Sequence, residues 1–170
     1  MGVQDAPAED GNAQVESEDG RFIKEPDDSF TPNGREWPSL TIEVGLSERP
    51  NKLAIDARGW LEAKGSETQV VITANIDQTV PQITFHKWEL VAEACRATRS
   101  SLTLGETTEK VICKLENGVI EVSGQINIPF KKLVGREKQT DTEYDIVLTR
   151  ADLAEICKPA WDAQNFTETG

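Results

Sequence analysis

The sequence is poor in the features that mark several protein classes. It has only three Cys and one His, and it contains no run near the roughly 20 apolar residues that a membrane-spanning helix needs. We therefore expect neither a transmembrane segment nor a membrane partner. The N-terminal stretch MGVQDAPAEDGNAQ is acidic and lacks the basic and apolar regions of a signal peptide. These absences predict an intracellular protein, cytoplasmic or nuclear.

Common catalytic and metal-binding motifs are also missing. Cys95, Cys113 and Cys157 are odd in number and widely spaced, with no CxxC, so they predict neither a zinc site nor a disulfide framework. We interpret all three as core residues, because free cysteine is among the most buried residue types. No GxSxG, Walker A, GxGxxG or HExxH motif is present. His86 lies in a strand-like run, and we interpret it as a half-exposed strand residue rather than a catalytic base.

Positive charge is scarce. The chain has 18 Lys plus Arg against 30 Asp plus Glu, which gives a net charge of −12. This charge opposes binding to nucleic acid, so a nucleic-acid partner is disfavoured, and a protein partner stays open. The densest basic stretch carries four cations, which we interpret as part of a solvated loop rather than a phosphate contact. These are Lys131, Lys132, Arg136 and Lys138.

The composition predicts one domain preceded by an acidic tail. Residues 1–19 carry only Val3 and Val15 as sizeable apolar side chains after Met1, too few to offset the entropy of ordering the chain. We therefore expect a disordered tail over 1–19 and a single domain over 20–165. A chain of 170 residues is long enough to bury a core without a metal or a disulfide.

Hydrophobic periodicity predicts an α/β fold with a central mixed β-sheet. Apolar residues alternate from Leu40 to Val44, which indicates a strand that places Glu43 on its polar face. An amphipathic helix follows, ending at Gly65, with Leu53, Ala57, Trp60 and Leu61 on its apolar side. The next strands are expected at 69–76, buried on both faces, and at 83–90; a short strand at 21–24 precedes them all. This order predicts a strand–helix–strand crossover within the sheet, and the fold as a whole is expected to have flanking helices.

The C-terminal part predicts a β-hairpin and a helix. Asn117-Gly118 separates strand-like runs at 109–115 and 119–128, and Asn-Gly is a strong hairpin signal. A last strand is expected at 144–148. Thr149 then caps a helix with Asp152 in its first turn, ending by Pro159 or just beyond. Its expected buried stripe is Leu153, Ile156 and Cys157, and the four tryptophans, Trp37, Trp60, Trp88 and Trp161, are expected in or at the edge of the core.

Three stretches of the sequence carry a family resemblance. They are KEPDDSFTP at 24–32, WPSLTIEVGLS at 37–47 and DARGWL at 56–61. Together they resemble a group of fungal proteins that are similar to the PD-(D/E)xK, or restriction-endonuclease-like, superfamily. The resemblance implies a restriction-endonuclease-like fold and a metal-dependent nuclease or phosphodiesterase. It implies that Asp27 and Glu43 bind the metal, with Asp28 as an alternative ligand.

Such a carboxylate pair needs a cation. Two carboxylates 4 Å apart repel by about 4 kcal/mol at an effective dielectric near 20. Mg²⁺ is the expected ion, if any cofactor is used, because it takes oxygen ligands and bridges to phosphate. The simpler interpretations also stand: Asp27 as a turn residue, Glu43 on a solvated edge strand, and Asp56 paired with Lys52 on the helix surface.

The sequence departs from the family pattern at one important position. The residue two after Glu43, normally a lysine, is Gly45. We therefore expect a displaced cation, with Arg58 as first choice and Lys24 and Lys87 as weaker candidates. Arginine stays protonated, so Arg58 is expected to clamp phosphate rather than act as a base. A third acid is absent or is one of Glu16, Glu18 and Glu25. We expect weakened or lost hydrolysis, and the alternative is a catalytically inactive protein-interaction module of the same fold.

Overall fold

A computed structural model of the chain describes residues 14–47, 50–93 and 102–166. In chain order the elements are β1 (Val15–Glu16), β2 (Ile23–Lys24), β3 (Asp28–Phe30), β4 (Leu40–Leu46), α1 (Pro50–Glu62), β5 (Val70–Ile76), β6 (Gln82–Glu93), β7 (Leu102–Glu116), β8 (Val119–Val122), β9 (Ile126–Ile128), α2 (Phe130–Val134), β10 (Ile146–Leu148) and α3 (Arg150–Ala163). The chain is thus an α/β domain, as its periodicity predicts. None of the helices in these ranges is long and apolar enough to cross a bilayer.

The centre of the fold is a six-stranded mixed sheet with the order β3-β4-β5-β6-β7-β8. β4 and β5 are parallel along their whole length, from Leu40 beside Val70 to Leu46 beside Ile76, and α1 connects them. The other neighbouring strands in this sheet are antiparallel. The predicted strand–helix–strand crossover is therefore confirmed.

Each face of the sheet has its own hydrophobic core. The α1 face buries a tryptophan-rich core of Val15, Trp37, Ala57, Trp60, Leu61, Val71 and Trp88. The opposite face packs against α3 and includes Trp161 and the unpaired thiols of Cys113 and Cys157. All four tryptophans are buried, as predicted. Cys95 lies outside the described residues.

The predicted hairpin forms, but its second strand is shorter than expected. Asn117 and Gly118 both have positive φ, 51° and 73°, as a tight turn between β7 and β8 requires. We predicted one strand over 119–128, whereas β8 ends at Val122 and the chain then leaves the central sheet. β9 pairs instead with β10, antiparallel, in a separate two-stranded sheet. The departure places Ile126 and Ile128 in the α3-side core, where both are buried.

Helix α3 begins as predicted and extends further. The Thr149 side chain accepts from the Asp152 amide, and the Asp152 carboxylate accepts from the Thr149 amide, which forms a capping box. The helix continues past Pro159 to Ala163, which brings Trp161 into the core. The prediction that Ile156 is buried is wrong, since its side chain is 51% exposed.

The ordered part of the chain starts earlier than the predicted boundary at residue 20. β1 pairs with β2 in a short hairpin, with Val15 opposite Lys24. Val15 and Ser17 are buried, and the Ser17 amide donates to the Phe22 carbonyl. The interval 14–19 therefore belongs to the folded domain, because Val15 joins the α1-side core. Residues 1–13 lie outside the described residues.

Candidate functional site

Glu43 lies on the α1 face of β4 and is almost fully buried. The alternation along β4 directs Leu40 and Ile42 to the α3 side and Glu43 to the α1 side. Its Oε1 accepts a hydrogen bond of 2.7 Å from the indole Nε1 of Trp60 in α1. Its Oε2 lies 2.9 Å from Nζ of Lys24 in β2. Both oxygens of the Glu43 carboxylate therefore have donors within the chain, and the residue as a whole is only 4% exposed.

Lys24 also binds a second carboxylate. Its Nζ lies 2.6 Å from Oδ2 of Asp56, one helix turn before Trp60 in α1. Lys52, the partner expected for Asp56, is 3.9 Å from the same oxygen. The ammonium thus bridges Glu43 and Asp56. We call these residues, Lys24, Glu43, Asp56 and Trp60, the Lys24 cluster.

A close contact between the N-terminal hairpin and α1 positions Lys24. The Phe22 ring packs edge-on against Trp60, with centroids 5.1 Å apart, and stacks on Trp37. It lies directly over Gly59, where an added Cβ would come within 3.0 Å of two ring atoms. The missing side chain of Gly59 lets the hairpin approach the helix, and Lys24, two residues after Phe22, points toward the same helix.

Asp27 lies at the margin of the cluster and is exposed. β3 pairs Asp28 with Ile42, and one further step in the same register places Asp27 opposite Glu43. The Asp27 Oδ2 accepts a hydrogen bond of 2.7 Å from the Val44 amide on the open edge of β4. The side chain of Asp28 is engaged locally, since its Oδ1 accepts from the Ser29 amide.

The environment of Glu43 makes its carboxyl harder to ionise than that of a free glutamate. Burial raises the pKa of the Glu43 carboxyl above its ordinary value, and the negative charge of Asp27 adds to this effect. The hydrogen bonds from Lys24 and Trp60 and the charge of Lys24 oppose the rise without cancelling it. The negative charge of Asp27 therefore contributes to the raised pKa of Glu43, because two neighbouring carboxylates repel each other.

The structure gives a steric reason for glycine at position 45. A Cβ on Gly45 would lie 3.0–3.1 Å from three side-chain atoms of Leu53 in α1. A side chain at this position would require Leu53 to shift, so the close packing of α1 on β4 disfavours lysine there. Lys24 instead supplies the positive charge nearest to Glu43, although it was the weaker candidate in the sequence.

The other candidate cations lie elsewhere. Arg58 is exposed, and its Nε donates to the carbonyl oxygen of Gly105 in β7 at 3.3 Å. Successive helix residues are 100° apart, so Arg58 lies on the far side of α1 from Asp56. Lys87 lies on the opposite face of the sheet and bonds to Glu109 and to the Asn127 carbonyl.

The acidic residues do not form a ready metal-binding group. Within the three described ranges, no set of three or more His, Cys, Asp or Glu is arranged to hold an ion. Mg²⁺ requires fewer protein ligands, since one or two carboxylates with water and phosphate oxygens suffice. The register of β3 on β4 makes Asp27 and Glu43 neighbours, so they could supply two such carboxylates. However, Lys24 already lies against Oε2 of Glu43, the oxygen that an ion would take.

The acid that shares Lys24 with Glu43 is not one of the three glutamates that we predicted. Asp56 lies within the cluster, whereas Glu18 pairs with Lys64 at 3.5 Å and Glu16 and Glu25 are exposed. The sequence feature that could have identified Asp56 is its i, i+4 spacing from Trp60, which places both side chains on one face of α1.

The predicted basic stretch is neutralised by acidic partners. Lys131 pairs with Glu137, Lys132 with Glu89 at 2.5 Å, Arg136 with Glu143 at 2.5 Å and Lys138 with Asp145 at 3.0 Å. Four cations that each have a carboxylate partner offer little net charge to a phosphate backbone.

Comparison with known proteins adds no family to this picture: no family model, curated protein or solved structure matches the chain.

Proposed function

We propose that the chain is a divergent PD-(D/E)xK-like protein whose metal-dependent phosphodiester hydrolysis is weakened or lost. The observation that carries the proposal is the position of Lys24, whose Nζ is 2.9 Å from Glu43 and 2.6 Å from Asp56. A buried carboxylate beside other acids needs a cation. The lysine ammonium supplies that charge without a metal.

The remaining parts fit a hydrolytic centre that has diverged. When bound, Mg²⁺ would activate a water and neutralise charge on a phosphate. Asp27 and Glu43 are the residues that would hold it, and Trp60 would fix the Glu43 carboxylate through its other oxygen. Lys24 competes with the ion for Glu43, so hydrolysis requires that the ammonium first leave this carboxylate.

The catalytically inactive protein-interaction module is the second candidate, and the basic stretch favours it. A nuclease needs positive charge along its groove, whereas the four cations of the predicted basic stretch are paired with carboxylates. A net charge of −12 acts in the same direction.

Thermal unfolding with and without Mn²⁺ tests the proposed role of Lys24. Lys24→Met removes the competing ammonium, so millimolar Mn²⁺ should raise the Tm of this variant by about 3–6 °C, as expected for a ligand at ten times its Kd. The wild type should respond much less. Adding Asp27→Asn to Lys24→Met should abolish the gain.

Lys52→Met is the matched control, because Lys52 contacts Asp56 but not Glu43. It should behave as the wild type does. A wild type that Mn²⁺ stabilises as strongly as it does Lys24→Met would refute the competition between lysine and metal. If Mn²⁺ stabilises neither protein, the interaction module is the better account. Plasmid nicking by the wild type that Glu43→Gln abolishes would instead establish retained hydrolysis.

A further inference from the structure

A second site lies on the same face of the sheet as the Lys24 cluster but at its other edge, around Lys114. Along β7, Val111 and Cys113 point into the α3-side core. Because side chains alternate along a strand, Ile112 and Lys114 face the α1 side. Helix α1 reaches β7 at Gly105, seven residues before Ile112. Farther along β7, Ile112 and Lys114 are only partly buried.

Two neighbouring cavities meet at Lys114. The first, of about 520 Å³, is lined by Ile112, Lys114, Glu121, Val122 and Ser123. The second, of about 340 Å³, is lined by Val80, Pro81, Gln82, Lys114, Leu115 and Glu116. Both volumes fall in the range of small-molecule sites, roughly 300–1,000 Å³. Lys114 is the residue they share.

Lys114 is partly buried, and among the described residues it has no acidic partner. Its cross-strand neighbour on β8 is Glu121, and opposite charges at such positions ordinarily pair. Yet no carboxylate oxygen of the described residues lies within 4.0 Å of the Lys114 Nζ. Every lysine of the basic stretch has such a partner.

We infer that Lys114 binds a small organic anion, a carboxylate or a phosphate carried on an apolar body. The ammonium is a point donor for the anionic group. Ile112 on one side and Val80 with Pro81 on the other provide apolar walls for the body of the ligand. Glu121 also lines the first cavity, and its negative charge opposes the anion. This site shares no residue with the Lys24 cluster and does not depend on its chemistry.

An NMR titration of backbone amides tests the site with phenyl phosphate and benzoate as probes. Both should cause saturable shifts confined to the lining residues of the two cavities, around 80–82, 112–116 and 121–123. Phenol, which lacks the charge, and inorganic phosphate, which lacks the apolar body, should not saturate. A response to only one of the two organic anions assigns the site to that class.

Three variants sharpen the test. Lys114→Met should weaken binding about tenfold through loss of a charge-assisted contact. Glu121→Gln should strengthen binding about two- to fivefold by removing repulsion. Lys158→Met, which removes an exposed lysine of α3, should leave it unchanged. Shifts that persist in Lys114→Met, or shifts that also appear around the other surface lysines, would overturn the assignment. So would the absence of shifts at about 20 mM probe, a concentration near the weak limit for one such contact. The same spectra report whether each variant is folded.

Discussion

The two faces of the central sheet each bury a charged cluster, and the two clusters differ in their balance of charge. On the α1 face, Lys24 forms ion pairs with both Glu43 and Asp56, and Asp27 lies beside them. On the α3 face, Lys87 pairs with Glu89 and Glu109, and Lys132 pairs with Glu89. We call these four residues the Lys87 network. The first group is short of positive charge, whereas the second has two cations for two carboxylates.

The pKa values follow this difference. Burial raises the pKa of Glu89 too, but hydrogen bonds from Lys132 and Thr108 and the charge of Lys87 outweigh it, so the pKa is lowered. The pKa of Glu43 stays raised despite Lys24 and Trp60. Balanced charge is typical of a structural ion network, and a carboxyl with a raised pKa marks a functional candidate. The comparison therefore favours a structural role for the Lys87 network and makes the Lys24 cluster the candidate for function.

The largest expected effect is loss of the central cation of the Lys87 network. Lys87→Met leaves Glu89, Glu109 and the Asn127 carbonyl without their buried donor, so it should lower the free energy of unfolding by about 3–5 kcal/mol. Urea denaturation measures this. Lys138→Met, which breaks an exposed pair, should cost less than about 1 kcal/mol. Equal losses of unfolding free energy in the two variants would contradict a structural role for the Lys87 network.

A smaller effect is expected where the N-terminal hairpin meets α1. Gly59→Ala places a Cβ against the Phe22 ring, and this overpacking should outweigh the gain in helix propensity, for a net loss of about 1–2 kcal/mol. The same change should displace Lys24 from Glu43. Gly124→Ala is the control, because its Cβ would meet Val111 at an ordinary 3.5 Å. A Gly59→Ala variant as stable as the wild type would contradict the close approach.

The pH dependence of stability should separate the two clusters more finely. The pKa of Glu43 is raised in the folded state, so the folded protein binds this proton more tightly than the unfolded chain does. Its contribution to stability is present below the ordinary value of 4.5 and is lost as the pH rises through the folded pKa.

Denaturation of the wild type and of Glu43→Gln at several pH values checks the sign. The stability of the wild type relative to the variant should fall as the pH rises from about 4 to 7. Glu89→Gln should show the reverse: because the folded pKa of Glu89 is lowered, its contribution is lost as the pH falls. The same slope for both variants would contradict the charge comparison.

Local patterns in the sequence predicted the core of the fold well. The helical stripe of α1 and the doubly apolar β5 each depend on neighbours along the chain, and the structure confirms both. The alternation of Leu40 to Val44 correctly predicted a strand, but the polar face was wrong, since Glu43 is buried and Val44 is 47% exposed. The separation of β9 from β8 could not be predicted from such local patterns. The burial of Ile126 and Ile128 depends on α3, which comes over twenty residues later.

The site was only partly predictable for the same reason. The family resemblance implied Asp27 and Glu43, and the register of β3 on β4 places them as neighbours. We ranked Lys24 below Arg58, because the contact that selects Lys24 is the packing of Phe22 on Gly59 across a distance of 37 residues. The direction of Arg58 away from Asp56 follows from helix geometry alone and was available from the sequence.

A carboxyl ¹³C NMR titration of the two buried glutamates, Glu43 and Glu89, tests the central comparison most directly. In one sample of the wild type, Glu43 should titrate above the ordinary value of 4.5 and Glu89 below it. This order is the signature of a cluster short of positive charge beside a balanced network. A Glu43 that titrates at or below Glu89 would show that Lys24 already neutralises its cluster, and would contradict the account.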